Sequence, residues 1–484
     1  MPDFCWINRL SQAASEFCQN KSAAPIAAFL FLVGTHASAQ GFDTGGHVEM
    51  FTDTYLISQK RNVNIQYTQP ERREVVLITD KPWEGPSSAY YTAIQDGAKI
   101  RLYYRGFCPE DSDSKQVTCL AESSDGVHFD RPNLGLYAFD GSKQNNIIWV
   151  GVEAHNFGPF LDANPAAKPE ARYKALAGIN SKLYAFQSAD GIHWAKMQQQ
   201  PVITDGAFDS LNTAFFDPVL GKYRCYSRYW DSNSSVRAVQ VCTSDDFIHW
   251  SKPLPNKYDS GTPMEQFYTN ATRPVPGAED QLLSFPKRFV PERTRLEGYR
   301  DSGVSDAVMM SSRDGLHWYR PNLEAWVRPG LDPHNWTQRS NMPAAGFVSA
   351  PGDPDAFSMY ISRHYQWPDN SLQRLVVRKY GFASVHASRT GGEFTTRPIK
   401  VTGDRLLLNM ATSAPGNIQV ELLDAQDRPV AGHTLANSPV LFGDDLEREI
   451  VWKGGKGLKE LKGQSVKLRF VMSDADIYAF KMAN

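Results

Sequence analysis

The sequence lacks an excess of charge of either sign. It holds 51 Lys and Arg against 53 Asp and Glu, a formal net charge of −2, and charged residues make up 21% of the chain. Such a balance creates no global field that would attract nucleic acid or an anionic membrane surface. The motifs of nucleophile-elbow hydrolases, Walker-loop NTPases and dinucleotide-binding enzymes are also absent. We therefore expect no nucleic-acid partner and none of these three chemistries.

Long apolar runs are absent after residue 40, so we expect no membrane span in the mature chain. The earlier run APIAAFLFLVG at 24–34 has the length of a signal peptide, and Ala37 and Ala39 supply the small residues of a cleavage site. A membrane anchor is the alternative. We predict that residues 1–39 are a signal peptide, cleaved near Ala39, and that the mature protein is periplasmic or extracellular.

Cysteine is scarce, with six residues in the chain, and Cys5 and Cys18 precede the predicted cleavage site. An oxidising compartment would allow the other four to close as two local disulfides, and free buried thiols are the alternative. Their spacing matches no zinc site. The two pairs are Cys108 with Cys119 and Cys225 with Cys242.

The sequence does contain one turn motif in four copies. Ser-x-Asp-x-x-His-aromatic occurs as SSDGVHF (123–129), SADGIHW (188–194), SDDFIHW (244–250) and SRDGLHW (312–318). Ser and Asp side chains can cap nearby backbone N–H groups, glycine can adopt a positive φ, and the aromatic residue can fill the space between sheets. We therefore interpret the motif as structural and expect none of its histidines to take part in catalysis.

Each copy of the turn ends a similar run of strands. Two β-branched and aromatic strands, a loop and a third strand precede the turn, and a fourth strand begins at its His-aromatic end. The turn histidines at 128, 193, 249 and 317 are 56 to 68 residues apart, a period that fits four-stranded propeller blades. A fifth unit without the turn follows from residue 340. The pattern predicts five blades over about 75–390, with 45–75 supplying the outer strand that closes the ring.

From about residue 391 the repeat disappears, and alternating strands with tight turns indicate a second all-β unit, most simply a β-sandwich. The predicted fold is therefore all-β: a five-bladed β-propeller (40–390) followed by a C-terminal β-sandwich (391–484). Aromatic residues make up 12% of the chain, with 11 Trp and 20 Tyr. They suit such a fold, and flat rings also stack on the apolar faces of sugars.

The blades that end in Ser-x-Asp-Gly-x-His-Trp, the segment FDRPNLGLYAFDG after the first turn and the β-sandwich behind them resemble the five-bladed β-propeller glycoside hydrolases. The likeness is greatest to family 32-like proteins, with families 43, 68, 117 and 130 as propeller relatives, and covers almost the whole mature chain. It implies a glycosidase with three acidic residues at the starts of the innermost strands of blades one, three and four. The family 32 signatures Trp-x-Asn-Asp-Pro-Asn-Gly and Arg-Asp-Pro are absent.

Carboxylates occur at the three blade entries that the resemblance singles out. The innermost strands can be aligned on the glycines of their turns, and in this alignment Ser88 is equivalent to Asn212. Three acids lie just upstream of the entries of blades one, three and four: Glu84, Asp209 and Glu265. Hydrolysis needs one acid that protonates the leaving oxygen and one carboxylate that activates water or attacks. We assign Glu84 as base or nucleophile, Asp209 as stabiliser and Glu265 as acid, with surface salt bridges as the alternative. The reserve candidates are Asp53, Asp80 and Glu153.

Asparagines and arginines recur at the same edge of the predicted blades. The second strand of a blade is antiparallel to the first, so the arginine at its end returns to the start of the first strand. Four such arginines exceed the need for counter-ions and indicate an anionic ligand, because a guanidinium group matches carboxylate or sulfate. Structural ion pairs are the alternative. The predicted substrate-binding residues are Arg105, Asn156, Asn212, Arg228, Asn270, Arg288, Arg339, Asn341, Arg363 and His364.

These observations predict an exported, exo-acting glycoside hydrolase that acts on an acidic or sulfated oligosaccharide. A propeller phosphorylase, whose arginines would bind phosphate, and a non-catalytic glycan-binding propeller are the alternatives. The scheme requires no cofactor. A structural or axial metal ion is compatible with it, and His155, His334 and His364 are the candidate ligands.

Overall fold

The computed structural model describes residues 41–108, 113–299 and 301–484, and the predicted signal peptide lies outside these residues. The described chain is all-β, which confirms the predicted class. Its helices are five short 3₁₀ segments, and no helix in the described part of the chain has the length and apolarity that a membrane span requires. These segments are Asp113–Lys115, Val152–His155, Pro169–Ala171, Pro333–Asn335 and Lys459–Leu461.

The strands are numbered in chain order. Those before the first repeat unit are β1 (Glu49–Met50), β2 (Ile57–Arg61), β3 (Val63–Tyr67) and β4 (Glu71–Ile78). The first three units contain β5 (Ala89–Asp96), β6 (Lys99–Arg105), β7 (Val117–Ser123), β8 (Ile147–Val150), β9 (Gly158–Leu161), β10 (Tyr173–Ala177), β11 (Tyr184–Ser188), β12 (Ala195–Lys196), β13 (Thr213–Asp217), β14 (Lys222–Asp231), β15 (Val236–Ser244) and β16 (Leu254–Pro255).

The fourth unit contains β17 (Lys257–Tyr258), β18 (Gln266–Thr269), β19 (Arg273–Val275), β20 (Ala278–Ser284), β21 (Lys287–Val290), β22 (Val304–Ala307), β23 (Met310–Ser312) and β24 (His317–Trp318). The remaining strands are β25 (Ala356–Arg363), β26 (Ser371–Arg378), β27 (Ala383–Ala387), β28 (Gly392–Thr396), β29 (Ile399–Lys400), β30 (Arg405–Leu423), β31 (Asp444–Ile450) and β32 (Ser465–Ala483).

The first three repeat units each form one four-stranded antiparallel sheet whose strands follow chain order. The fourth unit divides into two three-stranded sheets, β18-β21-β22 and β19-β20-β23. In the fifth unit, β26 pairs with both β25 and β4, and residues 343–348 bridge to β25. The first strands of the first three units contact one another, from β5 to β9 and from β9 to β13, and β13 contacts β19 of the fourth unit. This order places the strand starts of successive units side by side.

The Ser-x-Asp turns have the predicted structural role. In the third copy, Ser244 Oγ accepts a hydrogen bond from the backbone N–H of Phe247 (2.9 Å), and Asp246 accepts one from that of His249 (2.8 Å). Asp246 also bonds to the His249 ring at 2.7 Å, and this histidine side chain is 87% exposed. The other three copies repeat the backbone contacts. The capping predicted from the sequence is confirmed.

Three of the turns are bonded to a tyrosine of another sheet. The tyrosine hydroxyl donates to the carbonyl of the turn glycine: Tyr103 to Gly191, Tyr226 to Gly315 and Tyr360 to Gly126, at 3.0, 2.8 and 2.8 Å. The first two tyrosines belong to the sheet that precedes the turn in the chain. The third belongs to the fifth sheet, and Ala345 of that unit exchanges hydrogen bonds with β5 as well. The first and fifth sheets are therefore neighbours.

The N-terminal strands pair with the C-terminal region. β1 pairs with β32, β2 with β28 and β3 with β27, so residues 49–67 belong to a nine-stranded C-terminal sheet. The expectation that 45–75 supplies an outer strand to the repeat units is wrong for 49–67, whereas β4, which begins at Glu71 within that range, pairs with β26 of the fifth unit. Pairing across more than 300 residues leaves no local trace in the sequence. β27 lies in the same C-terminal sheet, so strand pairing crosses the predicted boundary at 390/391.

The four described cysteines are free thiols, which favours the alternative to the predicted disulfides. Cys225 and Cys242 are opposite each other on β14 and β15, and both are buried. Cys119 is buried too, and burial raises the pKa of its thiol well above the usual value. Their surroundings are those of small apolar core residues.

Candidate functional site

Two β-bulges direct two tyrosines towards one point. β5 pairs Ala89 with Arg105 and Thr92 with Tyr103, so that two residues, of which Tyr90 is one, oppose a single residue of β6. In β18, Tyr268 is an extra residue in the pairing with β21. A bulge changes the direction of a side chain, and bulges are frequent beside active sites. The two phenolic oxygens lie 3.4 Å apart.

Cationic side chains surround the two phenols. The Arg105 guanidinium carbon lies 4.7 Å from the Tyr90 ring centre, and that of Arg228 lies 4.8 Å from the Tyr268 ring centre. The Lys287 ammonium lies 4.0 Å from the Tyr268 ring centre. We call this group and its immediate neighbours the tyrosine–arginine site. Its members are Tyr90, Arg105, His155, Asp209, Arg228, Arg237, Tyr268, Lys287, Arg339 and Tyr365.

These cations have few anionic partners. Arg105 donates to the Ser87 carbonyl (2.8 Å) and to the Tyr365 hydroxyl (3.1 Å), and Arg339 donates to the same hydroxyl (2.9 Å). Among the described residues, the carboxylate that bonds to the arginines of the site is that of Asp209, which contacts Arg228. The Asp209 side chain is 53% exposed. The described part of the site therefore carries a net positive charge.

The positive charge changes the ionisation of its neighbours. Burial lowers the pKa of His155 to about 2, and the nearby Arg105 and Arg339 lower it further in the same direction. Burial also lowers the pKa of Lys287 well below its usual value, assisted by Arg339. For Tyr268, burial opposes ionisation, but the nearby cations outweigh it and hold the pKa of this phenol below its usual value. His155 is therefore neutral and Tyr268 ionises more readily than an ordinary tyrosine.

The site brings together three of the predicted arginines and one predicted acid: Arg105, Arg228, Arg339 and Asp209. Arg288 and Arg363 lie outside it. Arg288 binds Asp306 (2.7 and 2.9 Å) and Glu265 (2.9 Å), because strand alternation turns its neighbour Lys287, and not Arg288, towards Tyr268. These contacts are the structural ion pairs that were the alternative interpretation.

Glu84 and Glu265 also lie outside the site. The Glu84 side chain is fully buried and accepts hydrogen bonds from Arg131 (2.7 Å) and Tyr104 (2.5 Å). Glu265 binds Arg288 and Arg320, at 2.9 and 2.8 Å, on the wall of a separate cavity of about 820 Å³. The structure therefore does not bring the three predicted acids together.

The reserve acids are engaged in ion pairs of their own. Asp53 binds Arg313 at 2.7 Å, Asp80 binds Lys81 at 3.1 Å, and Glu153 binds Lys196 at 2.5 Å. None of these three cations belongs to the tyrosine–arginine site.

The predicted asparagines hold backbone segments in place. Asn212 donates to the carbonyls of Phe208 (3.1 Å) and Ser210 (2.8 Å), and Asn156 donates to the Ser210 carbonyl (3.0 Å). Asn270 accepts from the backbone N–H of Thr272, and Asn341 donates to two carbonyls. All four amides are buried. In this structure they position the loops between sheets, and their contact with substrate stays a prediction.

Two of the three predicted metal ligands meet near the end of β25. Ligand atoms of Asp332, His334 and His364 all lie within 4.8 Å of one another, and His364 Nδ1 bonds to Asp369 at 2.8 Å. A carboxylate on the second ring nitrogen is typical of metal-binding histidines. However, Arg363 lies 2.6 Å from the same Asp332 oxygen that bonds to His364. His155 bonds to Gln116 and Arg105 instead, and a metal ion stays a prediction.

The sequence interpretation missed the tyrosines of the site and Arg237. The predicted blade registers assume regular strands, and bulges displace Tyr90 and Tyr268 from those registers. In the sequence, Tyr90 lies close to the strand-start residue Ser88, and Tyr268 lies close to the strand-start residue Asn270. This closeness in sequence was the available signal. Tyr90 also adopts a φ of 58°, a conformation rare for an aromatic residue.

No family model matches the chain, and no curated protein matches it. Solved structures to which it is similar include a protein named as a glycoside hydrolase, with 12% identity and a TM-score of 0.43 over 65% of this chain and 92% of the other. Another is an N-acetylgalactosamine deacetylase from F. plautii in complex with blood group B trisaccharide (13% identity, TM-score 0.41, 84% and 95%). A third is the GH93 alpha-L-arabinofuranosidase of Fusarium graminearum with arabinobiose (13% identity, TM-score 0.39, 63% and 98%). Similarity at this level assigns no activity to the chain.

Proposed function

We propose that the protein is an exported enzyme that binds and cleaves an acidic or sulfated oligosaccharide at the tyrosine–arginine site, with exo-acting hydrolysis as the first reaction class. The observation that carries the proposal is the convergence of Arg105, Arg228 and Arg339 with one described carboxylate, Asp209, among them. Buried charges are stable when they are paired. An anionic ligand would complete the pairing.

The chemistry of the site supports a sugar acid or a sugar sulfate as this ligand. Guanidinium groups bind carboxylate and sulfate oxygens through two parallel hydrogen bonds, and each such charge-assisted contact contributes about 1.5–3 kcal/mol. Next to the site, Trp367 stacks on Tyr299 (5.8 Å between ring centres) and on His334 (3.8 Å). Such flat aromatic surfaces also suit the apolar faces of pyranoses.

We further propose that the five repeat units form a five-bladed β-propeller and that the C-terminal sheet belongs to a β-sandwich. The contacts of the second and fourth turns with the preceding sheet, and of the first turn with the fifth sheet, support a closed ring. In a ring of this kind the strand starts of all units surround one axis. The strand-start tyrosines and arginines would then line an axial pocket.

For hydrolysis, Asp209 is the carboxylate that the geometry favours. Asp209 forms an ion pair with Arg228, and a carboxylate in this position suits a group that stabilises positive charge at the anomeric carbon or attacks it. Glu265 lines the neighbouring cavity and stays the candidate acid, whereas the enclosed Glu84 has no role in the proposal. Phosphorolysis would use the same arginines for phosphate.

A panel experiment tests the proposal. The mature protein from Gln40 is titrated calorimetrically with matched neutral, uronate-bearing and sulfated oligosaccharides, and the products are analysed with and without inorganic phosphate. We expect binding and cleavage of a charged member, independent of phosphate. Preference for neutral sugars would contradict the proposal, a stoichiometric need for phosphate would identify a phosphorylase, and binding without cleavage would leave a glycan-binding protein.

A further inference from the structure

The tyrosine–arginine site is rich in bases and cations and poor in acids. Tyr268 ionises readily despite its burial, because cations surround it, and His155 stays neutral. Most glycoside hydrolases use a pair of carboxyl groups that flank the scissile bond. Among the described residues the site holds one, Asp209, and Arg228 binds it. These groups suit a reaction that begins with removal of a proton from carbon.

We infer that the site cleaves a uronate-containing glycan by β-elimination, with the Tyr268 hydroxyl oxygen as the base. The inference rests on the proposed binding of an anionic glycan at this site. It differs from the proposed function in one step, because the glycosidic bond breaks by elimination and not by hydrolysis. Arg105 and Arg339, which share the Tyr365 hydroxyl, bind the uronate carboxylate and stabilise the charge that develops on it.

The reaction balances without a second reactant. The Tyr268 phenolate takes the proton from the carbon next to the carboxylate, and the electrons of that C–H bond form a carbon–carbon double bond with the adjacent carbon. The glycosidic C–O bond on that adjacent carbon breaks, and its electrons leave with the departing oxygen. Tyr268 then returns the proton to this oxygen. The products are one saturated sugar end and one unsaturated uronate, and no water is consumed.

The position of Tyr268 suits this role. The bulge in β18 places it beside Lys287, and the Tyr90 hydroxyl, 3.4 Å from that of Tyr268, lies where it can donate a hydrogen bond to the phenolate. The charged and titratable groups that face it are Arg228 on β14, Arg237 on β15, Lys287 on β21, Tyr90 on β5 and Arg339 before β25.

The chemistry also narrows the substrate class. A carboxylate acidifies the C–H bond next to it when its charge is neutralised, whereas a sulfate ester provides no such electron sink. The substrate is therefore a glycan with a uronate whose leaving oxygen is on the carbon β to the carboxylate. Sulfate groups elsewhere on the chain are compatible with the same site.

Product analysis of the wild-type mature protein tests the inference. Polygalacturonate, alginate, hyaluronan and heparosan together present galacturonate, mannuronate, guluronate and glucuronate. Each is incubated with the protein in water enriched in heavy oxygen, and the products are examined by ultraviolet absorbance and mass spectrometry. We expect an absorbing, unsaturated uronate end that carries no label.

The outcomes separate this inference from the proposed function. Saturated products that carry heavy oxygen would overturn elimination and leave the proposed function intact. Binding of these glycans without any cleavage would overturn elimination as well. If the protein binds neither these glycans nor any other charged glycan, both elimination and the proposed function are overturned.

Variants test the role of Tyr268. Tyr268→Phe should slow cleavage by about a hundredfold or more, the usual contribution of a positioned general base, with little change in the Kd for the glycan. Tyr137→Phe, a tyrosine that packs under the first sheet, is the matched control and should retain full activity. If Tyr268→Phe retains wild-type activity while its melting curve is unchanged, the inference is wrong.

Discussion

The phenolic oxygens of Tyr90 and Tyr268 lie 3.4 Å apart, although the residues are 178 positions apart in the chain. Each tyrosine is at a bulge near the start of its strand, and each ring faces an arginine, Arg105 or Arg228. Burial keeps the pKa of Tyr90 above its usual value, while the cations lower that of Tyr268. Tyr90 therefore holds its phenolic proton more firmly than Tyr268 does.

Removal of one arginine should weaken binding of charged ligands selectively. Arg339→Met removes a guanidinium group whose described hydrogen bond goes to Tyr365. A charge-assisted contact of about 1.5–3 kcal/mol corresponds to roughly a ten- to hundredfold rise in Kd for a uronate or sulfated oligosaccharide. Calorimetry with the charged ligand and its neutral analogue measures the difference. Arg172→Met, which removes a half-exposed surface partner of Asp96, is the control.

The pH dependence of turnover should report Tyr268. The phenolate of Tyr268 is the active form, and the pKa of Tyr268 lies below the usual tyrosine value of 10.0. We therefore expect kcat to rise with pH and to reach its plateau at a lower pH than it would for an ordinary tyrosine. Arg228→Met removes a nearby cation and should move the midpoint to higher pH. Turnover at saturating substrate across the pH range measures both. A kcat that falls as pH rises through this range would contradict the role of the phenolate.

His155 should make the protein less stable in acid. Its pKa is about 2 in the folded protein and 6.5 in the unfolded chain, so below pH 6.5 the unfolded state binds a proton that the folded state does not. The free energy of unfolding should fall as pH falls, by about 2 kcal/mol at pH 5 from this residue alone. Urea unfolding of the wild type and of His155→Gln measures it. Equal pH slopes for the two proteins would show that His155 is not held neutral.

The Ser-x-Asp turns should affect stability and not activity. Asp246→Ala removes the acceptor for two backbone N–H groups and for the His249 ring, and it should destabilise the protein by about 1–2 kcal/mol, as the loss of a helix cap does. His249→Gln, at an exposed side chain, should change stability by less than about 0.5 kcal/mol. Thermal unfolding and turnover are measured together. Loss of turnover without loss of stability would give the turn a functional role.

Local chemistry determined the features that the sequence predicted correctly. The Ser-x-Asp turns form because their capping hydrogen bonds join residues within three positions, as from His249 to Asp246. The all-β class follows from strand periodicity, and the recurrence of one unit follows from the turns. The excess of arginine near the strand starts was visible for the same reason, since Arg105 and Arg228 both lie in the second strand of their units, opposite the start of the first strand.

Tertiary structure alone decided which of those residues meet. A bulge of one residue in β18 turned Lys287 and Tyr268 inwards and left Arg288 to Glu265 and Asp306. Because successive side chains of a strand face opposite sides, a shift of one position exchanges every contact. The pairing of β1 to β3 with the C-terminal sheet likewise depends on hydrogen bonds between the two ends of the chain. Such bonds depend on packing in three dimensions, which sequence spacing does not encode.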